Sequence, residues 1–401
     1  MREGWKDLKL KDVGKIVSGG TPKTKIPEYW NGNISWITPA DLSGYSEIYI
    51  KRGKKSITKT GLDASSAKLM PKGSVLFSSR APIGYVVVAS EEVATNQGFK
   101  SVVPDQNLVS EYLYYYLKSI KPLAESRASG TTFKEISKKV FAELPIPIPP
   151  LPEQRAIVAK LERLFAELDR SVAELETARE KLKVYRQSVL KEAFSSYQDG
   201  VPIDSIADVK GGFAFKSKTF LKDHGEYQVI KIGNIKPGRL ELLKSPAYLN
   251  RVSNQLIRKA GLLQGDVLVT LTGTKGQRDY GWTAIVNKDN LLLNQRVAAL
   301  RFNKSEYDPK FFLYYSWTRH FRDRFFETET GNTGQGNVGM KSVRKTLIPL
   351  PSIKEQIDVV QEIESRFSVA DRLERDITES LERAKGLRQG LLKRAFAGEL
   401  V

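Results

Sequence analysis

The sequence predicts an α+β chain in which two α/β domains alternate with two long amphipathic helices, related by an internal pseudo-twofold repeat. Two observations predict this class. A helical pattern recurs half a chain length later, and short β-type runs between Gly, Pro and Asn turns precede each copy. We expect globular domains over 1–150 and 199–352, and helices over 151–198 and 353–401. The helices should pair antiparallel as a coiled coil that joins and spaces the domains.

The helical repeat is the strongest pattern in the chain. The segment 153–196 returns at 355–398 at a constant offset of 202 residues, with 15 of 44 positions identical. In both copies apolar residues recur every three or four positions, from Ile157 to Val189 and from Ile363 to Leu391, which is typical of a coiled-coil seam. Neither helix could bury such a stripe alone, so each is the natural partner of the other. Proline-rich runs before both copies predict extended entries.

The globular domains repeat more faintly. Gly19-Gly20 pairs with Gly211-Gly212, and Leu113-Tyr-Tyr pairs with Leu313-Tyr-Tyr, at offsets that drift from 192 to 200. The pattern predicts helices over 111–119 and 309–326, and we interpret the tyrosines within the first as packing. It predicts strands over the runs 34–38, 74–78, 84–89, 229–232, 267–271 and 282–286. Helices that keep register while the domains diverge suggest one scaffold that carries two specificities.

The positive charge is concentrated in the two globular segments. The chain has a net charge of +18, of which +8 lies in 1–150 and +10 in 197–352, whereas 151–196 carries +1 and 353–401 carries −1. Two basic bodies joined by neutral segments predict two contacts with a polyanion, most simply a nucleic acid. The alternative interpretation is charge that serves solubility alone.

Catalytic motifs are missing from the sequence. The chain has no Cys and two His residues, His224 and His320, which show no metal-ligand spacing. It also lacks the GxxxxGK[ST] phosphate loop, the [DNS]-P-P-[YFW] element of amino-methyltransferases and a glycine-rich nucleotide loop. We therefore predict a binding protein with no catalytic residue and no metal site. No signal peptide or apolar run of about 20 residues occurs, which predicts a soluble, cytoplasmic protein without a membrane segment.

At this point the chain resembles the specificity (S) subunit of type I restriction–modification systems. In the first domain the resemblance rests on GGTPKTKIPEYWNGNISWITPADL, PKGSVLFSSRAPIGYV, ATNQGF and GTTFKEI. In the second it rests on VKGGFAFKS, VIKIGNI, NQRVA and TGQGNV. The IPLPxxxEQ…RQxxLxxAF helix, found twice at half-chain spacing, is the most specific part. The second domain has GGFAFKS where the first has GGTPKT, a difference that fits recognition of a different half of a DNA site.

The resemblance implies two target-recognition domains, each reading one half of a split, asymmetric double-stranded DNA site. The helix pair would set the unread gap. It also implies assembly with two modification (methyltransferase) subunits, which carry S-adenosylmethionine and methylate adenine. Restriction (translocase and endonuclease) subunits would use ATP and Mg²⁺, so no cofactor is expected on this chain.

Reading base edges requires donor and acceptor side chains on loops, and holding register requires Lys or Arg on phosphates. In the first domain the candidates are Lys23, Thr24, Lys25, Tyr29, Ser79, Arg80, Gln97, Thr132 and Lys134. In the second they are Lys216, Lys218, Asn234, Lys236, Thr274, Lys275, Arg278, Gln335 and Asn337. Arg80 and Arg278 are the best candidates for guanine, and Gln335 and Asn337 for adenine. The candidates for partner binding are Glu153, Gln154, Glu355 and Gln356.

Two other functional classes compete with a specificity subunit. An autonomous DNA-binding regulator is the main alternative, although regulators more often dimerise on palindromes than carry two unlike reading domains. A self-contained methyltransferase or nuclease is opposed by the missing motifs.

Overall fold

The structure is a computed structural model that describes residues 4–130, 134–197, 200–332 and 334–401. It divides into two compact units, Met1–Glu176 with Thr378–Val401, and Thr177–Ile377. Both divisions fall inside the two long helices, Leu151–Ala193 and Ile353–Phe396. Each unit therefore contains one globular domain and part of each helix.

The first unit is built from short strands followed by helices. Its strands are β1 (Lys6–Lys9), β2 (Gly14–Ser18), β3 (Trp30–Ile37), β4 (Tyr49–Ile50), β5 (Lys55–Ile57), β6 (Val75–Ser79), β7 (Ile83–Ala89), β8 (Val93–Thr95), β9 (Lys100–Pro104) and β10 (Pro145–Ile148). Its helices are α1 (Lys59–Asp63), α2 (Ser110–Ser119), α3 (Lys121–Ser126), α4 (Lys138–Ala142) and the start of α5 (Leu151–Ala193).

The second unit contains the remaining elements. Its strands are β11 (Val201–Pro202), β12 (Ala207–Gly211), β13 (Tyr227–Ile230), β14 (Ile235–Lys236), β15 (Arg239–Leu240), β16 (Tyr248–Leu249), β17 (Val267–Thr270), β18 (Thr272–Gly273), β19 (Thr283–Ile285), β20 (Leu291–Leu293), β21 (Val297–Phe302), β22 (Gly336–Asn337) and β23 (Leu347–Ile348). Its helices are α6 (Asn254–Ala260), α7 (Pro309–Tyr315), α8 (Arg319–Glu327), α9 (Met340–Lys345) and the start of α10 (Ile353–Phe396).

The sheets of the two domains have matching strand orders. The first domain has a five-stranded sheet ordered β2-β9-β6-β7-β4, and the second a four-stranded sheet ordered β12-β21-β17-β19. Each also has a three-stranded sheet, β5-β3-β8 or β16-β13-β20, with one parallel pair in each. A two-stranded ribbon, β1-β10 or β11-β23, brings the start of each domain beside the strand that precedes its long helix. The duplication predicted from the sequence is confirmed.

Aromatic side chains pack the end of one long helix onto a domain helix in each unit. In the first unit the Phe396 ring lies 5.2 Å from Tyr112 and 5.1 Å from Tyr116. In the second, the Phe194 ring lies 5.2 Å from Phe311 and 5.4 Å from Tyr315. All four tyrosines in 112–116 are buried, as the packing interpretation predicts.

Three sequence-based expectations for the second domain are wrong in detail. The predicted helix over 309–326 is two helices, because the Thr318 side chain caps a new helix by accepting a hydrogen bond from the Phe321 amide. Phe396 contacts Tyr112 and its equivalent Phe194 contacts Phe311, so Tyr112 and Phe311 are equivalent positions. Leu113 therefore does not correspond to Leu313. The correspondence between the two domain helices is set by the face that packs on the long helix, and it differs from the alignment of identical residues.

The glycine pair is also displaced by one residue. A Cβ atom on Gly19 would lie 1.9 Å from the Asn96 carbonyl oxygen, and one on Gly212 would lie 1.9 Å from the Asn294 carbonyl oxygen. Gly19 therefore corresponds to Gly212, because these are the positions at which another backbone segment approaches too closely for any side chain.

Neither a membrane-spanning helix nor a cluster of metal-ligating side chains is found among the described residues. None of the helices there is both long and apolar enough to cross a bilayer. Across the same residues there is no group of three or more His, Asp or Glu side chains that could hold a metal ion.

Candidate nucleic-acid interface

A buried glutamine fixes the start of each long helix to its domain. Gln154 is fully buried; its Oε1 accepts a hydrogen bond from the Val109 amide at 2.9 Å, and its Nε2 donates to the Asn107 and Pro149 carbonyls at 2.9 and 3.0 Å. Since the domain and the helix N-terminus share one amide side chain, their mutual position is strongly specified. Gln154 is one of the predicted partner-binding residues, and its side-chain amide forms these hydrogen bonds within its own chain.

Gln356 repeats the arrangement in the second unit. It is also fully buried, accepts from the Asp308 amide at 2.8 Å, and donates to the Glu306 and Pro351 carbonyls at 3.0 and 2.9 Å. The neighbouring Glu355 accepts hydrogen bonds from the Ser352 hydroxyl and amide, which lower its pKa. Glu153, the equivalent of Glu355, is half-buried.

The long helices are joined by an arginine in each unit. In the second unit, Arg186 contacts Asp371 at 2.6 Å and Glu374 at 2.9 Å and lies over the Phe367 ring at 5.2 Å. In the first, Arg388 contacts Asp169 and lies over the Phe165 ring at 4.7 Å. In the second unit 186 on α5 meets 371 on α10 and 192 meets 366, so the two helices run antiparallel there, as predicted. The seam is incompletely covered, because Tyr185 and Leu387 remain 42% and 54% exposed.

In the first domain, four of the predicted residues gather around a buried lysine. Lys100, at the start of β9, is 7% exposed. Its Nζ donates to Glu135 Oε1 at 3.1 Å, to the Gln97 carbonyl at 3.3 Å and to Ser79 Oγ at 3.3 Å. Arg80 contacts the other Glu135 oxygen at 3.4 Å and is 36% exposed, and Lys134 beside it is exposed. Lys100 and Glu135 hold the ends of two loops together and orient Arg80.

The loop after β2 forms a second exposed part of this surface. Lys23, Thr24 and Lys25 are exposed, and Tyr29 is half-buried in a short 3₁₀ turn. Thr21, two residues earlier, contacts the Gln97 side chain, so the loop starts beside the Lys100 cluster. The sequence did not identify Lys100 or Glu135. The available signal was a lysine at the edge of an otherwise apolar strand, FKSVVP.

In the second domain the matching loops meet at the β18-β22 ribbon. Thr272 Oγ1 donates to Asn337 Oδ1 at 3.0 Å, and Lys275 Nζ donates to the Gly331 carbonyl at 2.7 Å. Glu329 accepts from the Tyr280 hydroxyl at 2.8 Å and from the Gly276 amide at 3.2 Å. Burial, and then the hydrogen bond to Glu329, raise the pKa of Tyr280. The pairing of Thr272 with Asn337 corresponds to the bridge between Arg80 and Glu135 in the first domain.

The remaining predicted residues of the second domain lie on four segments. Thr274 and Gln335 are exposed, and the Thr274 hydroxyl donates to Asp279 at 2.8 Å. Arg278 is half-exposed and contacts Asp323. Lys216 and Lys218 are exposed on the loop between β12 and β13, which corresponds to the Lys23–Lys25 loop, and Lys236 is half-buried in β14.

Two predicted DNA contacts are contradicted by burial. Ser79 is fully buried and donates to the Gly98 carbonyl at 3.0 Å. Asn234 is 1% exposed and donates to the Glu241 and Lys244 carbonyls at 3.1 and 2.8 Å. Neither side chain can reach a base without local unfolding, since both occupy their polar atoms in holding loops. Thr132 lies outside the described residues.

Comparison with protein families identifies the repeated unit. The family model described as the type I restriction modification DNA specificity domain matches residues 2–177 and again 199–383. The chain is 45% identical over 160 residues to the type I restriction enzyme MjaIX specificity subunit of Methanocaldococcus jannaschii, an alignment that covers 39% of this chain and 37% of that relative. It is 25% identical over 344 residues to the EcoBI specificity subunit of Escherichia coli, covering 78% and 70%.

Solved structures share the whole fold. A chain from a study of complex assembly and conformational transition of the type I R-M system aligns with a TM-score of 0.78 at 20% identity, over 100% of this chain and 99% of that one. The HsdS subunit from Thermoanaerobacter tengcongensis aligns with a TM-score of 0.62, also at 20% identity, over 100% and 98%. At this identity the likeness establishes the fold.

Proposed function

Because the chain belongs to the type I restriction modification DNA specificity family, with the family domain present twice, we propose that it is the DNA sequence-specificity subunit of a type I restriction–modification complex. Each globular domain reads one half of a bipartite, asymmetric DNA site. The chain directs catalytic subunits to that site and does not itself catalyse a reaction. It acts in the cytoplasm, where its DNA lies.

The observation that carries this proposal is the same scaffold with different polar side chains at equivalent positions. In the first domain, β6 leads to Arg80, which bridges to Glu135 beside Lys134. In the second, β17 leads to Thr272, which pairs with Asn337, with Lys275 and Gln335 nearby. Side chains with different donor and acceptor patterns suit different base edges. Two unlike half-sites follow from two unlike loop sets.

The proposed roles divide by chemistry. Lys23, Lys25 and Lys134, and Lys216, Lys218, Lys236 and Lys275, neutralise phosphates and set register. Arg80, Gln97, Gln335 and Asn337, with Thr24, Thr274 and Tyr29, face base edges or sugars. The antiparallel helices set the length of the unread gap between the half-sites.

Two modification subunits are the proposed direct partners. Tyr185 and Leu387 are separated by the repeat offset of 202 residues and are both exposed, at 42% and 54%. An exposed apolar side chain at equivalent positions of the two repeats suits two copies of the same subunit. Those subunits would supply S-adenosylmethionine, and restriction subunits would supply ATP and Mg²⁺ chemistry.

A domain exchange tests the proposal. Residues 1–145 are replaced by the corresponding segment of another specificity subunit, and adenine methylation is mapped in a host that also expresses the modification subunit. One half-site should change, while the other half-site and the gap are retained. Changes in both half-sites, or in neither, would contradict independent reading by the two domains.

A further inference from the structure

Two arginines in the second unit share one carboxylate at the rim of a cavity, and a third arginine lies beside them. The cavity has a volume of about 1120 Å³ and is lined, among others, by Arg278, Arg319, Arg322 and Trp282. Asp323 contacts Arg278 at 2.5 Å and Arg319 at 3.7 Å. One carboxylate between two guanidinium groups orients both and neutralises only one.

Arg322 adds a third cation to this cluster. Its guanidinium lies 4.1 Å from the centre of the Trp282 ring, and its Nη2 donates to the Arg278 and Tyr280 carbonyls at 2.5 and 3.2 Å. Its Nη1 is buried with no hydrogen-bond partner among the described residues. Burial, and then the charge of Arg278, lower the pKa of Arg322 to about 10. Arg322 thus holds the loop that carries Arg278 and leaves its charge uncompensated.

The other carboxylates that line the cavity contact cations outside this cluster, and two of them share a single arginine. Asp371 and Glu374 contact Arg186, and Glu364 contacts Lys310 at 2.7 Å. Across the part of the cavity that the structure describes, Asp323 is left with three arginines, so the cluster has an excess of about two positive charges. Uncompensated guanidinium groups at a cavity rim favour an anionic ligand.

Arg278 itself is held in an unusual backbone conformation. Its φ angle is +52°, in the left-handed region that disfavours residues other than glycine. Its side chain is 49% exposed, and that of Arg319 is 93% exposed. The Arg278 guanidinium is therefore positioned by its loop and by Asp323, and the guanidinium groups of both arginines remain open to solvent.

We propose that Arg278 and Arg319 form a phosphate clamp that holds the DNA backbone next to the half-site read by the second domain. The inference rests on the proposed function, and it gives Arg278 a phosphate contact in place of the guanine contact expected from the sequence. A guanidinium fork matches the two free oxygens of a phosphodiester, and two forks on one carboxylate can hold one or two adjacent phosphates.

DNA is favoured over an acidic protein segment by the continuity of the surface. Arg278 belongs to the same loop as Thr274 and Lys275, which meet the β18-β22 ribbon. A duplex whose bases face that ribbon brings its backbone to the ends of the loop. The segment 197–352 also carries a net charge of +10, which attracts a polyanion over its whole surface.

The test measures salt-dependent binding of the full chain to a fluorescently labelled duplex of arbitrary sequence. The variant Arg278→Gln/Arg319→Gln is compared with Arg258→Gln/Lys288→Gln, which removes two exposed cations of the same domain outside the cavity lining. Loss of two phosphate contacts should lower the slope of log K against log salt by about 2. The control should retain the slope, and both variants should melt at the wild-type temperature.

The outcomes separate the alternatives. A wild-type slope in the Arg278→Gln/Arg319→Gln variant would overturn the clamp, and would leave an acidic protein segment as the ligand class to examine. A loss confined to duplexes with one particular base would also overturn it, since it would show that Arg278 reads sequence. Salt-independent binding by the wild-type chain would contradict the proposed function itself.

Discussion

Gln154 and Gln356 lie 202 residues apart and make the same three hydrogen bonds. Each accepts from one amide before a domain helix and donates to one carbonyl there and one in the proline-rich entry to its own long helix. The surrounding domains differ in sequence and loop length. This junction is therefore retained in both copies because it fixes the domain to the helix, whatever the domain reads.

Removal of either glutamine should destabilise its own junction. Gln154→Ala removes the partner of the half-buried Val109 amide and of the Asn107 and Pro149 carbonyls, which should cost about 1–3 kcal/mol. Gln356→Ala should have a similar effect at Asp308. Hydrogen exchange at the Val109 and Asp308 amides, followed together with thermal melting, would detect the loss at the affected junction.

Gln187→Ala is a matched control, because Gln187 is an exposed glutamine on the same helix. It should change stability by less than about 0.5 kcal/mol. Unchanged exchange at Val109 in Gln154→Ala would show that the glutamine does not carry the junction.

Acid should weaken the contact between the start and the end of the first domain. Hydrogen bonds from Lys11 and Lys9 lower the pKa of Glu143 from 4.5 to about 2. A carboxylate with a lowered folded-state pKa contributes stability above the unfolded value and loses it as pH falls through the folded value. The melting temperature should therefore fall between pH 4.5 and pH 2 more steeply in the wild type than in Glu143→Gln. Equal slopes would show that this contact contributes nothing, which screening of exposed pairs could produce.

A methyl group at Gly212 should disrupt the loop that carries Lys216 and Lys218. The new Cβ would lie 1.9 Å from the Asn294 carbonyl oxygen, and forced backbone shifts of this kind cost about 1–3 kcal/mol or more. Gly233→Ala is the control, since a Cβ there meets nothing within 4 Å. We expect a lower melting temperature and weaker DNA binding in Gly212→Ala only. If the two variants behaved alike, the close approach would not constrain the loop.

Lengthening both helices should lengthen the unread gap. One added heptad in each of α5 and α10 extends the helices by about 10 Å, or roughly three base pairs of B-form DNA. Both half-sites should remain the same in a methylation map. A heptad in one helix alone would displace Arg186 from Asp371 or Arg388 from Asp169, and methylation should be lost. Altered half-site sequences after the double insertion would refute the spacer role.

Structural features that depend on a regular spacing of apolar residues could be predicted from the sequence. The seam from Ile157 to Val189 recurs at a fixed offset, because a helix repeats its contacts every three to four residues. The antiparallel contacts of Arg186 and Arg388 follow from that register. Strands such as β6 and β7 were also predictable, since short apolar runs bounded by turn residues are typical of buried strands.

Features that depend on tertiary contacts could not be predicted. The break at Thr318 is a capping choice inside a continuous helical pattern. The burial of Ser79 and Asn234, both plausible base readers by type, depends on which loops lie over them. Lys100 was overlooked because a single lysine in a strand acquires its role only when Glu135, 35 residues later, folds back to it. Loop surfaces are set by such long-range pairings, which leave little local signal.

The most direct test of the account is a methylation map of a host that expresses this chain with its modification subunit. A specificity subunit with two reading domains should direct adenine methylation to one asymmetric sequence, made of two specified parts and an unspecified gap of constant length. A continuous or palindromic recognition sequence, or methylation that is the same without this chain, would contradict it.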